Sequence, residues 1–132
     1  MTKKFWISAV AVFVVGWGLS FVVHGLLLGA DYSAGVGMRP PAEAQKLMHW
    51  MIVAQALFAL AFTWVYDRGR EAKPWLAQGL RYGIAVAFLT VIPTYLIYHV
   101  VTPIPFVLAI KQIVFDTIRI VLMGLLVAWI NR

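Results

Sequence analysis

Four apolar runs, each long enough to cross a lipid bilayer as a helix, divide this sequence: about Phe5 to Gly29, Leu47 to Tyr66, Leu76 to Tyr98 and Phe106 to Ile130. Crossing ~30 Å of hydrocarbon takes about 20 predominantly apolar residues at ~1.5 Å each. Within hydrocarbon every backbone N–H and C=O must find its partner inside the segment, so runs of this kind fold as helices. The expected fold is all-α, a polytopic membrane protein forming one four-transmembrane-helix bundle over residues 1–132. Composition agrees: 63% of the residues are hydrophobic and 12% charged, with mean hydropathy +0.87. A soluble domain is about half apolar and a quarter charged. Trp or Tyr stands near at least one end of each run (Trp6, Trp50, Trp64, Tyr66, Trp75, Tyr98, Trp129), where amphipathic rings anchor at a membrane surface.

The formal charge is +6, but the basic residues lie at the ends of apolar runs rather than on one soluble patch, which argues against nucleic acid as a partner. Lys3 and Lys4 precede the first run. Arg68, Arg70 and Lys73 join the second to the third, Arg81 lies just inside the third, and Arg132 follows the fourth. The other side carries Arg39 and Lys46 in one loop and no Lys or Arg in "HVVTPIP". By the cytoplasmic excess of Lys and Arg, both termini and the "DRGREAKP" loop are expected in the cytoplasm, N-in and C-in. A bacterial inner membrane is the expected location. "MTKK" before an apolar run also opens secretory signals, but this run is about twice the length of an h-region. It is read as a retained helix. The chain has no cysteine, which excludes disulfides, thiolate metal sites and Cys nucleophiles.

The one long connection, "ADYSAGVGMRPPAEAQK", carries glycines and the Pro40–Pro41 pair, marks of irregular structure. Pro41 followed by Glu43 suits the first turn of a helix leading into the second run. Rows of small residues at four-residue spacing let membrane helices approach closely. Gly25 with Gly29, Gly79 with Gly83 and Ala87, and Gly124 with Ala128 are the candidates. Pro93 should kink the third span, because it lacks an N–H and its ring crowds the preceding turn.

The fourth run holds the chemistry. Gln112, Asp116, Arg119 and Met123 fall on one helical stripe at spacings of four, three and four. Asp116 and Arg119 can pair, and Gln112 can reach Asp116 from the adjoining turn. Arg119 lies roughly 15 Å along the helix from Trp129, near mid-membrane, where a charge costs at least ~2.5 kcal/mol. The stripe must therefore face the bundle interior, a partner subunit or a wet cavity. Lys111, on another face, can snorkel outward. His24, His49, Gln55, Tyr95 and His99 fall mostly in the same outer half, and with Asp31 they can line a pocket opening outward.

Three readings follow. Polar residues can act as interhelical glue, with Asp116 and Arg119 neutralising each other. Intramembrane ionisable groups can instead form a binding site or proton path for a small polar or ionic ligand. Third, His24, His49 and His99 can ligate haem or a divalent metal, since imidazole is the commonest metal ligand. No GxSxG, HExxH, phosphate-cradling Gly-rich loop or paired-carboxylate motif occurs, so no enzyme is expected. The leading expectation is non-enzymatic binding or translocation of a small polar or ionic ligand, with no cofactor. The alternative is an accessory subunit that buries the Asp116/Arg119 face against another chain or a second copy of itself.

Overall fold

The structure is a computed structural model that describes residues 1–35 and 38–132. It is all-helical over the described residues. Helix α1 (Lys3–Ser20) runs directly into a π-helical segment (Phe21–Leu27), then come α2 (Gly29–Ala34) and α3 (Pro41–Lys46). Helix α4 spans Met48–Gly69, α5 Trp75–Leu89, α6 Val91–Val101 and α7 Phe106–Ile130. Four stretches are long and apolar enough to cross a membrane: Lys3–Leu27, Met48–Gly69, Trp75–Val101 and Phe106–Ile130. The large apolar side chains on their outsides, such as Val100 (83% exposed) and Leu89 (77%), form a surface suited to an apolar surrounding.

Local chemistry explains the element ends. Thr2 caps α1, its Oγ1 accepting from the Phe5 N–H at 3.2 Å, so one of the orphan donors of the first turn is satisfied. Pro41 opens α3 with Glu43 in its first turn, as the sequence implies. The long connection is more ordered than its glycines suggest, since residues 29–34 form α2. Position 37, one of those glycines, lies outside the described residues.

The third span breaks at Thr90, where φ is −118°. Pro93 has no N–H to give the Leu89 carbonyl four residues back, and its ring crowds that carbonyl. The Thr90 hydroxyl also donates to the Val86 carbonyl at 2.8 Å, a back-bond that bends helices.

Helix α7 is the centre of the assembly, packed by α1, α5 and α6. Its closest seam is with α5, where Gly79 and Gly83 meet Gly124 and Ala128, with Ala87 fully buried one turn further along α5. A methyl group built on Gly83 would lie 2.6 Å from the Val121 Cα, and one on Gly79 2.9 Å from the Gly124 carbonyl oxygen. Only hydrogen fits there. The third small-residue row behaves differently: a methyl group on Gly25 would meet first the ring of Phe21 from its own segment, and one on Gly29 only the His24 carbonyl. Both stand where α1 has left its regular course, so they face no neighbouring helix. Gly16, outside any expected row, is the tight one on α1, against Gln55 and the Met123 sulfur.

Helix α4 is attached unevenly. Ala59, Phe62, Thr63 and Tyr66 are buried near its end, and the Tyr82 hydroxyl donates to the Phe62 carbonyl at 2.5 Å. Every residue from Met48 to Ala54 is exposed. The bundle is thus closed at one end and open alongside α4 at the other. The closed end gathers both chain termini: Lys4 Nζ donates to the Arg132 carbonyl (3.3 Å) and Asn131 Nδ2 to Ser8 Oγ (2.8 Å).

Because the α5–α7 seam has no room for a side chain, Gly83→Val should destabilise the fold by about 1–3 kcal/mol or more. Gly18→Ala should be neutral or slightly stabilising, since nothing lies within 4 Å of that position. Unfolding of both variants in detergent against wild type checks this. Equal stability would mean the seam is not as tight as described.

Candidate functional site

Asp116 is the most buried charged group of the chain, 2% exposed at the middle of α7. Three side chains from three elements converge on it. Arg119, one turn along α7, brings Nε to 2.8 Å from Oδ1. Tyr95 of α6 donates its hydroxyl proton to Oδ2. His24 of the π-helical segment places Nε2 3.2 Å from the same oxygen.

The π-helix is what brings His24 there. The Leu28 N–H bonds to the Val23 carbonyl at 2.9 Å, a five-residue step in place of the usual four. Each added residue turns the following chain by about 100° around the axis, and such widened turns are frequent at functional sites. Beyond it, Val23 and Leu28 pack with Leu108 beneath Tyr32, Ile104 and Phe115. That cluster seats α2 on α7, and the Asp31 carboxylate pins it there by accepting from Lys111 Nζ at 3.0 and 3.1 Å.

Seated in this way, Tyr32 extends the network. Its ring stacks on His24 with centroids 5.9 Å apart and planes 18° apart. Its hydroxyl lies 2.6 Å from His24 Nδ1 and accepts from Gln112 Nε2 at 3.1 Å. The hydrogen-bond polarity then follows. A carboxylate only accepts, so His24 Nε2 carries the proton toward Asp116, and a neutral ring must accept at Nδ1 from Tyr32. Burial raises the Tyr32 phenol above its usual value, so it retains the proton it donates. With the His24 ring neutral, donors run from Gln112 through Tyr32 and His24 into Asp116, with Tyr95 and Arg119 closing on it from other sides.

Polar capacity is left over in this region. Gln112 Oε1, Asp116 Oδ1, Arg119 Nε and Gln55 Nε2 are buried without a directed hydrogen bond. The Arg119 contact is an ion pair by distance, but its approach lies off the hydrogen-bond axis. Two openings flank the cluster. One, about 360 Å³, lies between α1 and α4 and is lined by Trp17, Ser20, Phe21, His24, Met48 and Met51. The other, about 210 Å³, is lined by Phe58, Thr94, Tyr95, Asp116 and Arg119 among others. Both border α4, the first along its exposed Met48–Ala54 stretch and the second at Phe58.

Of the residues singled out from sequence, the structure joins Asp116, Arg119, Tyr95, His24 and Gln112 in one network. Gln112 enters it by a different partner from the one its spacing suggests: its amide reaches Tyr32 rather than Asp116. Gln55 lies apart, against Gly16. His49 is exposed on α4 beside Trp50, ring centroids 5.2 Å apart. His99 binds the Ile104 carbonyl through Nδ1 at 2.8 Å. The three histidines thus have separate surroundings, and the described residues contain no group of three His, Asp or Glu side chains placed to hold a metal ion. Lys111 reaches out to α2 and pairs with Asp31, both side chains part-exposed.

Tyr32 is the member that sequence reasoning passes over. It stands eight residues after His24, about two helical turns, a spacing that signals a shared face only if the intervening chain is read as helical.

The site is a buried carboxylate held by a cation and a string of polar donors inside a four-helix array of membrane-crossing length. The chain matches no protein-family model, no curated protein and no solved structure.

Removing one partner of a buried pair strands the other charge, at about 3–5 kcal/mol. Arg119→Met should cost on this scale, because the Asp116 side chain is only 3% exposed. Asp116→Asn should cost less, since Arg119 is 16% exposed and borders an opening. The double variant should recover most of the Arg119→Met loss. A double-mutant cycle of unfolding free energies measures this, and strict additivity would show that the pair is not coupled.

Proposed function

We propose that this chain is an integral membrane protein, with both termini cytoplasmic in a bacterial inner membrane, that binds or passes a small polar or ionic ligand at Asp116. The ligand reaches the site from the outer side, through the openings alongside α4. The observation that carries this reading is the donor string Gln112–Tyr32–His24–Asp116, which runs from the α2 end to the middle of α7 and borders two openings. An intramembrane ionisable group is costly, and such groups mark ligand or proton paths. Hydroxyl, imidazole and carboxylate in sequence can each accept and release a proton, so a proton or a protonatable ligand suits the string. The charge distribution supports the orientation: seven of the eleven Lys and Arg residues lie at the end that holds the termini. The hydroxyl–imidazole–carboxylate order is read here as a path for a proton or ligand, so the reading is non-enzymatic and requires no cofactor.

An accessory-subunit reading rests on a different observation. All residues from Pro41 to Ala54 are exposed, and a second polypeptide or a second copy of this chain can cover them.

Native mass spectrometry of the protein released from its own membranes in mild detergent separates the two readings. The binding reading expects a small added mass that persists through delipidation. It should be retained in Gly18→Ala and lost in His24→Gln and Asp116→Asn, with the variants still eluting as folded protein. A ligand-free protein that carries a second polypeptide supports the subunit reading instead.

A further inference from the structure

A cavity larger than either opening beside the Asp116 cluster lies elsewhere among the described residues. It lies at the opposite, closed end, about 480 Å³ between the α4–α5 connection and the ends of α4, α5 and α7. Its lining includes Arg70, Lys73 and Arg132 with Tyr66, Trp75 and Asn131. We infer that this cavity binds the phosphate group of an anionic phospholipid.

The site is built rather than a chance gap. Gln78, 7% exposed at the start of α5, holds the connection from inside. Its Oε1 accepts from the Glu71 N–H at 2.7 Å, and its Nε2 donates to the Glu71 and Lys73 carbonyls. Arg70 is drawn over the end of α7, Nη1 donating to the Asn131 carbonyl at 3.4 Å and Nη2 lying 3.5 Å from Asp67. Both contacts are long, so the guanidinium keeps donors for a stronger acceptor.

The charge balance favours an anion. Glu71 is the only carboxylate side chain among the lining residues. It is held by Lys73 at 2.6 Å and Arg81 at 3.2 Å, and these two cations keep it below the usual carboxylate range. One acid thus serves two bases. Arg132 has no carboxylate partner among the described residues, and its guanidinium lies 4.9 Å over the Trp129 ring. Guanidinium forks match phosphate oxygens in pairs. The volume falls within the range of small-molecule sites. Trp75 and Trp129, at the ends of apolar runs, set the depth at which headgroups lie. Basic pockets between helix ends on the cytoplasmic side are where anionic headgroups dock.

This site is separate from the Asp116 cluster, so its test is independent of the ligand reading. The protein is placed in phosphatidylcholine nanodiscs containing a minor fraction of phosphatidylglycerol, and lipids retained on release are weighed by native mass spectrometry. Wild type and Asp116→Asn should both retain phosphatidylglycerol preferentially. Arg70→Gln should lower that preference about fivefold, as should Arg132→Gln, at a position beyond the last helix, with both variants eluting as folded protein. Arg68→Gln should not: that residue belongs to the same end but stacks on Trp64 and lies outside the cavity. Release of the lipid by added inorganic phosphate would show that the site also takes the free anion, and retention would show that it reads the lipid; both support a phosphate site. Equal retention of the two lipids, or equal loss in Arg68→Gln and Arg132→Gln, would overturn it, because smeared surface charge explains that result.

Discussion

A carboxylate at the middle of an apolar helix is the constraint around which this molecule is arranged. Asp116 cannot reach water along α7, so donors must be brought to it. Each neighbouring element contributes one. Arg119 comes from the same helix, Tyr95 from the helix that begins after the Thr90 break, and His24 from the widened turn of the first span. The irregularities are thus placed where donors are delivered. Residues Leu28, Leu108 and Phe115, which bring no polar group, contribute by seating α2 so that Tyr32 can orient the imidazole.

The small-residue seam between α5 and α7 makes that arrangement possible. Backbones in near contact at Gly79, Gly83 and Gly124 fix α7 against α5 by dispersion, which has to hold membrane helices together where lipid is as apolar as any side chain. With α5 so close, α6 emerges from the Thr90 break beside the polar stripe. Helix α4 has no comparable seam along its Met48–Ala54 stretch, and it is there that one opening reaches His24; the opening at Asp116 meets α4 further along, at Phe58. Tight packing on one side and loose packing on the other give the site a buried charge with a way in.

The two ends divide the labour. At the closed end Gln78, Asn131 and Arg70 tie the connection and the termini into a rigid, basic rim around a cavity. The other end carries the polar string, pinned by the Asp31–Lys111 pair. Among the described residues the only charged side chains between these ends are Asp116 and Arg119, and they lie against each other.

Much of this was legible in the residues themselves. Four span-length helices follow from run length and the demand that backbone groups pair internally. The Gly79–Gly83–Ala87 row, the break ahead of Pro93 and the Asp116–Arg119 pair follow from helical spacing, which is a local property. Spacing cannot say which residues of separate helices meet, because that depends on packing. His24, His49 and His99 look equivalent in sequence, yet only His24 reaches Asp116. The π-helix that turns it inward has no sequence signature, and its neighbour Tyr32 stands in a stretch whose glycines suggest a loop. Spacing puts Gln112 on the Asp116 stripe, but its amide goes to Tyr32, which comes close enough to receive it. The sequence by itself therefore determined the helices and the charged stripe, through local chemistry that each segment carries with it. The tertiary structure alone decided which donors surround Asp116 and where the openings lie, because those depend on how closely separate backbones can approach.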